Sequence, residues 1–556
     1  MSTRKLLWGV VIGFGVLLLI SMLVFIYMWF ALWKMDLTTD ISQIENEQTI
    51  KVKWDTSKEA EQIKITVKHD GDLLYSVTLQ DTNALLKGEY EVPAFYGKHE
   101  VVVTAKRGEY GATNKKEVKV FADEYNIAPV TGTMPVTLFT LGLKDITNDY
   151  SIPTFVWFKR NLVWNYSQMP NNVYTIPVAT SKQIKSKTEV DQKVIYEKTN
   201  DWIKELYEIN PNSKFNLYYN DFYSYAWLQT TLGGGIPLEN CNITLLSDGV
   251  GSFSIFNKYF DNETAKQNYA EMKKTYNQLK DEIKARKTYS EYDNGFVVRP
   301  WDAKEYTYVM VNEESNINWW LTRISGTMAN NNAEMFAELS GNSKVKVKDL
   351  NTMFKALTQQ EQQDLLKLFN FSDNMFEKAV KENKEVMIFL GTWDEDEVGF
   401  DNYVKTIQAY YGDNFVYYYK GHPRTPTSNI EGKFDKLEKL NLIDVDSTIP
   451  AELLSFFNPE IFASGYQSST FLSLSDEKSC AITHVKKDDF TQGYKNNIDI
   501  FITEVTSSDS VYGGLVSGNC CLIEFNNTEN YDFAIYNVDQ NKFDYYKNNN
   551  GNFVKV

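Results

Sequence analysis

The sequence predicts an α/β protein of two consecutive units, each a parallel sheet covered by helices, behind an apolar N-terminal helix and a small β-sandwich. Three observations predict it. Residues 48–122 alternate apolar and polar side chains between turn signals. From Val136 onward, apolar strand-like runs alternate with amphipathic helical ones, and the same alternation restarts near Lys384. A chain of 556 residues is also too long for a single core.

The N-terminal element comes first. Leu6 to Trp33 carries no charged side chain, and about 20 helical residues suffice to cross the hydrocarbon of a bilayer. Arg4 and Lys5 precede the run, Lys34 and Asp36 follow it, and Tyr27, Trp29 and Trp33 stand near its far end as interface anchors would. With no small-residue cleavage site, residues 1–35 read as a cytoplasmic tip and signal anchor rather than a cleaved leader. The remainder is then expected outside the cytoplasm, at a cell surface or, in a eukaryote, in the Golgi lumen.

Within 48–122, "TIKVKWD", "QIKITVKHDG", "LLYSVTLQ", "GEYEVPAF", "HEVVVTAKRG" and "KKEVKVFA" read as the strands of an immunoglobulin-like or fibronectin-like sandwich. The polar stretch before them carries no pattern. "DEYNIAPVTGTMP" (123–135), with Pro, Gly and Thr, reads as a linker.

The first α/β unit is then expected over 134–383. "VTLFTLGL", "NVYTIPVA", "KFNLYYN" and "NITLLSDG" read as buried strands, and "VIYEKTNDWIKELYEI" and "AKQNYAEMKKTYNQLKDEIKAR" as helices. The second unit is expected over 384–506, with "EVMIFLGT" and "NFVYYYKGHP" as strands and "NYVKTIQAYYG" and "PAELLSFF" as helices. Residues 507–556, rich in Asn, Tyr and Gly, read as a C-terminal extension of short strands packing on these units.

Composition narrows the function. A net charge of −16 without a cluster of Lys and Arg argues against nucleic acid as a partner. Four cysteines and four histidines supply neither a disulfide framework nor a multi-histidine metal site. The acidic triplets "DED" (394–396) and "DVD" (444–446) read as solvated loop acids.

Three short motifs carry chemistry. Ser247-Asp248-Gly249 ends a strand, the position where open α/β sheets meet their ligands. Lys420-Gly421-His422-Pro423-Arg424 ends another, joining close backbone approach at glycine to cations that attract an anion and a histidine able to donate a proton. Gln467-Ser468-Ser469-Thr470 offers paired hydroxyls that cap a helix or hold a phosphate. Taken singly, each has a plain structural reading: an Asp-Gly turn, a surface loop, an N-cap.

Their order and spacing resemble the bacterial sialyltransferases of glycosyltransferase family 80, which carry an Asp-Gly, a Lys-Gly-His-Pro and a Ser-Ser motif in this sequence. "LTQQEQQDLLKLFNF" before "VMIFLGTW", "IPAELLSFF" and "SSTFLSLSDEKSCAIT" extend the resemblance from Pro135 to Thr503. Several family members also have an immunoglobulin-like domain ahead of the catalytic part.

The resemblance implies a GT-B fold, two Rossmann-like domains facing a cleft, and an inverting, metal-independent transfer of sialic acid from CMP-Neu5Ac to a galactoside hydroxyl. It implies Asp248 as general base and His422 as the group that contacts the CMP phosphate and assists its departure. Lys420, Gly421, Pro423, Ser468 and Ser469 would bind the phosphate end of the donor, Glu452 its ribose, and Trp393 the acceptor sugar. The expected partners are the CMP-sugar, a glycan acceptor and a membrane, with no cofactor. Ser247 departs from the acidic residue usual before the base, and "GTWDEDE" shortens the Gly-Thr loop. Two other readings keep part of this picture: a transferase for another CMP-activated ulosonic acid, or an inactive, anchored glycan-binding surface protein.

Overall fold

The computed structural model describes residues 3–69, 71–80, 86–147, 151–158, 164–176, 189–224, 226–286, 303–322, 332–372, 374–391, 404, 408, 412–423, 425–457, 461–465, 479–484, 523–525, 533–537, 542–549 and 552–556. They divide into two compact units. The first holds Met1–Asp123 and Glu205–Ser213, and the second Glu124–Lys204 and Lys214–Val556.

In the first unit, helix α1 runs from Thr3 to Trp33. Phe14, Leu17, Leu19, Met22, Leu23 and Phe25 are exposed along it. Among the described residues, whose side chains in α1 cover 13–28, no helix is long and apolar enough to cross a membrane.

Seven strands follow: β1 (Leu37–Gln43), β2 (Thr49–Thr56), β3 (Gln62–His69), β4 (Asp72–Leu79), β5 (Lys87–Pro93), β6 (Gly97–Arg107) and β7 (Tyr110–Val120). They form two antiparallel sheets, β1-β2-β5 and β4-β3-β6-β7. Period-2 alternation runs through them: in β6, Val101, Val103 and Ala105 are buried while their neighbours face outward. In β1 the alternation is shallow, with Ile41 its one buried residue. This polar stretch is a strand because its backbone pairs with β2 from Leu37↔Thr56 to Gln43↔Ile50, so the sandwich starts before residue 48.

The second unit opens with β8 (Glu124–Val130), β9 (Thr154–Phe158), β10 (Val173–Thr175), β11 (Lys214–Asn220), β12 (Cys241–Leu246), β13 (Ile317–Leu321) and β14 (Val345–Val347). All are parallel, in the order β10-β9-β8-β11-β12-β13-β14. Counted within this sheet, strands three, two and one precede four, five and six. The first strand is central and the winding reverses between β8 and β11, which opens a crevice at their carboxyl ends.

Two expectations are corrected here. Residues 123–135 are not a linker, because β8 is a buried central strand and the sheet therefore begins at Glu124 rather than 134. "VTLFTLGL" is not a strand but part of helix α2 (Thr133–Thr147). A continuous apolar run has neither period, so it fits a buried helix as well as a buried strand. Pro135 falls in the first turn, where a missing N–H costs nothing, and the hydroxyls of Thr137 and Thr140 donate to the carbonyls one turn back. Helices α3 (Glu189–Ile209), α4 (Val250–Phe260) and α5 (Ala265–Arg286) stand where the amphipathic pattern expects α3 and α5.

A second sheet contains β15 (Glu385–Leu390), β16 (Phe415–Lys420), β17 (Ile443–Val445), β18 (Ile461–Gly465), β19 (Ser479–His484), β20 (Ile523–Phe525), β21 (Phe533–Asn537), β22 (Lys542–Asn549) and β23 (Asn552–Lys555). Its order is β17-β16-β15-β18-β19-β20-β21-β22-β23. The first six strands are parallel and repeat the winding of the first sheet, and β20 to β23 continue as an antiparallel meander. The C-terminal strands are therefore hydrogen-bonded into this sheet rather than an extension laid against it. "NYVKTIQAYYG" lies outside the described residues except at Val404 and Gln408.

Helix α6 (Gln359–Leu368) links the two sheets in sequence. It starts at a capping box in which Thr358 and Glu361 satisfy each other's backbone N–H. Its Leu365 and Leu368 share one core with Val130, Leu246 and Leu453, so helix α7 (Ala451–Phe457) is anchored by Leu453 in the core under the first sheet.

Candidate functional site

Three carboxyl ends converge at the crevice of the first sheet. β8 delivers Thr131 and Gly132, β11 delivers Asn220 and Asp221, and β12 delivers Ser247 and Asp248. The Asn220 amide joins them: its Nδ2 donates to the Thr131 carbonyl at 2.6 Å and to Asp248 Oδ1 at 2.8 Å. Its Oδ1 accepts the Phe222 N–H at 2.7 Å. Gly132 has φ +97°, and a Cβ there would stand 3.0 Å from Asp248 Oδ1 and 3.4 Å from Asn220 Nδ2. Glycine is required on both counts.

The backbone of Asp248 is held from beneath. Its N–H donates to Ser252 Oγ at 2.9 Å and to Asp221 Oδ1 at 3.1 Å. Gly249, at φ 87° and ψ −128°, then turns the chain into α4. Ser247 is fully buried, its hydroxyl donating to Ser252 Oγ and accepting from the Gly249 N–H, each at 3.0 Å. Asp248 itself is half-buried. The result is a carboxylate of fixed position at the mouth of a crevice, with one oxygen on an amide, as a general base requires.

Asp221 was not singled out from sequence. It is 1% exposed, and Trp319 Nε1 donates to its Oδ2 at 3.1 Å. Burial pushes its carboxyl up to about 7, with Asp248 adding to the rise and a hydrogen bond from Ser252 opposing it. The available signal was the pair Asn-Asp closing the buried run "KFNLYY", polar groups at a strand end. Gly132 was visible in "VTGTMP" but hidden by the linker reading.

The second sheet gathers the other predicted residues. Lys420 closes β16, is 4% exposed, and donates from Nζ to the Ser447 carbonyl at 3.1 Å. Burial lowers its ammonium to about 8, against the attraction of Glu452, Asp446 and Asp444. Glu452, on α7, is 3% exposed. At Gly421 a Cβ would meet Thr427 Oγ1 at 3.1 Å, so the chain packs tightly there. His422 and Pro423 follow, half-buried, in a turn closed by the Thr425 N–H on the His422 carbonyl at 2.9 Å.

Lys420, Gly421, His422 and Pro423 thus share one strand end, with Glu452 within electrostatic reach of Lys420. Trp393, Ser468, Ser469 and the "DED" acids lie outside the described residues. The "DVD" reading is corrected in part. Asp444 is no solvated loop acid: it lies half-buried on β17 and accepts the Thr427 hydroxyl at 2.6 Å, while Asp446 is exposed. Among the described residues no group of His, Cys, Asp and Glu is arranged to hold a metal ion.

No family model matches the chain, and no curated protein matches its sequence. Solved structures do match it. A 2,6-sialyltransferase from Photobacterium sp. JT-ISH-224, in a ternary complex with CMP and lactose, aligns with a TM-score of 0.51 at 14% identity, over 88% of this chain and 94% of that one. A sialyltransferase from Photobacterium damsela aligns with a TM-score of 0.50 at 13% identity, over 85% of this chain and 95% of that one. What the chain shares with these sialyltransferases is their fold, a mixed α/β architecture.

Proposed function

We propose that this protein is an inverting sialyltransferase of GT-B type that moves sialic acid from CMP-Neu5Ac to a galactoside-type hydroxyl without a metal ion. The observation that carries the reading is Asp248, a carboxylate held by Asn220, Ser252 and Asp221 at the switch point of the first sheet. Its support comes from the second sheet, where Lys420 and His422 stand at a strand end as a phosphate-binding pair would. The fold shared with a sialyltransferase bound to CMP and lactose fits both halves.

In this mechanism the bond from the anomeric carbon to the CMP phosphate breaks, and its electron pair leaves on the phosphate. Lys420 and His422 stabilise that charge as it develops, and His422 is the proton donor to the departing group. The acceptor oxygen attacks from the opposite face while its proton passes to Asp248, which inverts the centre. Glu452 is assigned to the ribose, Gly421 and Pro423 to the shape of the phosphate loop, Ser468 and Ser469 to the phosphate, and Trp393 to the acceptor sugar. The seven-stranded sandwich is assigned an immunoglobulin-like role as spacer, and α1 that of an N-terminal membrane anchor with the catalytic part extracytoplasmic.

The full chain in detergent, given CMP-Neu5Ac and lactose with EDTA present, is expected to release CMP and form a sialylated product visible by mass spectrometry. Asp248→Ala is expected to lose about 10²–10⁴-fold in rate while still binding CMP. Absence of both CMP binding and turnover would overturn the reading.

A further inference from the structure

We propose that Asp221 is a positioning residue for the base: a second carboxylate, sealed beneath Asp248, that orients it through its backbone N–H and strengthens it with its own charge. This rests on reading Asp248 as the base.

The geometry assigns both parts of that role. Asp221 Oδ1 accepts the Asp248 N–H at 3.1 Å, while its Oδ2 is pinned at 3.1 Å by Trp319 Nε1 from β13. The Asp221 carbonyl in turn accepts the Thr307 hydroxyl at 3.0 Å. Asp221 is therefore fixed from three directions, and it fixes the residue from which the proposed base projects. No substrate reaches Asp221 itself. It is 1% exposed, and the cavity beside it holds about 10 Å³, no more than a single water needs. Whatever Asp221 does for the reaction it does through Asp248.

Charge supplies the second part. The two carboxylates repel each other, and an anion at Asp221 makes Asp248 hold a proton more firmly. The groups facing Asp221 are Asp248 on the β12–α4 turn, Ser252 on α4, Trp319 on β13, Thr307, and the titratable Glu305 and Tyr308 across the small cavity. No cation is among these neighbours, and Glu305 is engaged by the Tyr259 hydroxyl. Burial brings the Asp221 carboxyl to about 7. Below that pH Asp221 is neutral and above it an anion beside Asp248, so the base strengthens as pH rises through neutrality.

The test is the pH profile of kcat/KM for the acceptor, from about pH 5.5 to 8.5. Wild type is expected to show a limb that rises about threefold through neutrality. Asp221→Asn keeps an oxygen for the Asp248 N–H but carries no charge, and it is expected to lose the neutral limb while still turning over. Trp319→Phe removes a donor that favours the anion and is expected to move the neutral limb to higher pH. It serves also if the Asp221 variant does not fold. A neutral limb that persists in Asp221→Asn, or stays in place in Trp319→Phe, overturns the role while leaving the transferase reading intact. A wild type inactive at every pH overturns that reading and this role together.

Discussion

The parallel strands of the two sheets wind the same way and end in opposite chemistry. The first presents Asn220, Asp221 and Asp248 at its carboxyl ends, whereas the second presents Lys420 and His422, with Glu452 behind them. Identical winding opens the same kind of crevice in both, because the strands to either side of the switch point send their connections to opposite faces. The residue types at the strand ends then decide what each crevice attracts. A carboxylate suits a hydroxyl that must lose a proton, and a cation suits a phosphate that must gain charge. On the proposed reading, one topology used twice gives a site for each partner of the transfer.

That division of labour can be broken in three ways. The largest effect is expected at Lys420. Lys420→Met removes the cation and strands the buried Glu452, so CMP affinity should fall about 100-fold and the melting temperature should drop. Calorimetric titration with CMP, beside a thermal melt, measures both. Unchanged affinity would show that the second sheet does not hold the phosphate.

A smaller and complementary effect is expected at Gly132. Gly132→Ala places a Cβ 3.0 Å from Asp248 Oδ1 at a φ of +97°, displacing the carboxylate. The expected outcome is a loss of about tenfold in kcat with CMP affinity unchanged, since misplacement of a reacting group acts on the chemical step. Equal losses in rate and affinity would dissolve the distinction between the sheets.

The smallest effect is a matter of pH. The ammonium of Lys420 loses its proton near 8 rather than at its ordinary 10.5. Its positive charge is therefore complete below about 7 and fades as pH rises through 8. CMP affinity should fall about threefold between pH 7.5 and 8.5 in wild type and stay flat in Lys420→Met. Asn220, Asp221 and Ser252, which bond Asp248, include no cation, so the acceptor KM should not follow the same curve.

Much of this was legible in the sequence because it rests on local period and local type. The sandwich strands β2 to β7 show their alternation, α3 and α5 show their amphipathic faces, and β12 and β16 show buried runs closed by polar residues. Asp248, Lys420 and His422 could be named because the order and spacing of their motifs resemble a family pattern; taken singly, an Asp-Gly turn or a surface loop accounts for each. β8 could not be read, since Pro129 and the Thr-Gly that follows resemble a linker until β9 and β11 flank it. Helix α2 could not be read either, because a run apolar on all sides has no period.

Asp221 and Gly132 mark the limit most clearly. The residue that supports Asp248 lies 27 positions upstream in sequence, and the glycine that makes room for it lies on a third strand. The sequence by itself determined where strands such as β12 and β16 end and which polar groups stand there, because a buried run closed by polar residues declares its own length through side-chain type. Only the tertiary structure decided which ends meet. The order of strands in a sheet follows from long-range pairing and crossover handedness, which no local pattern encodes.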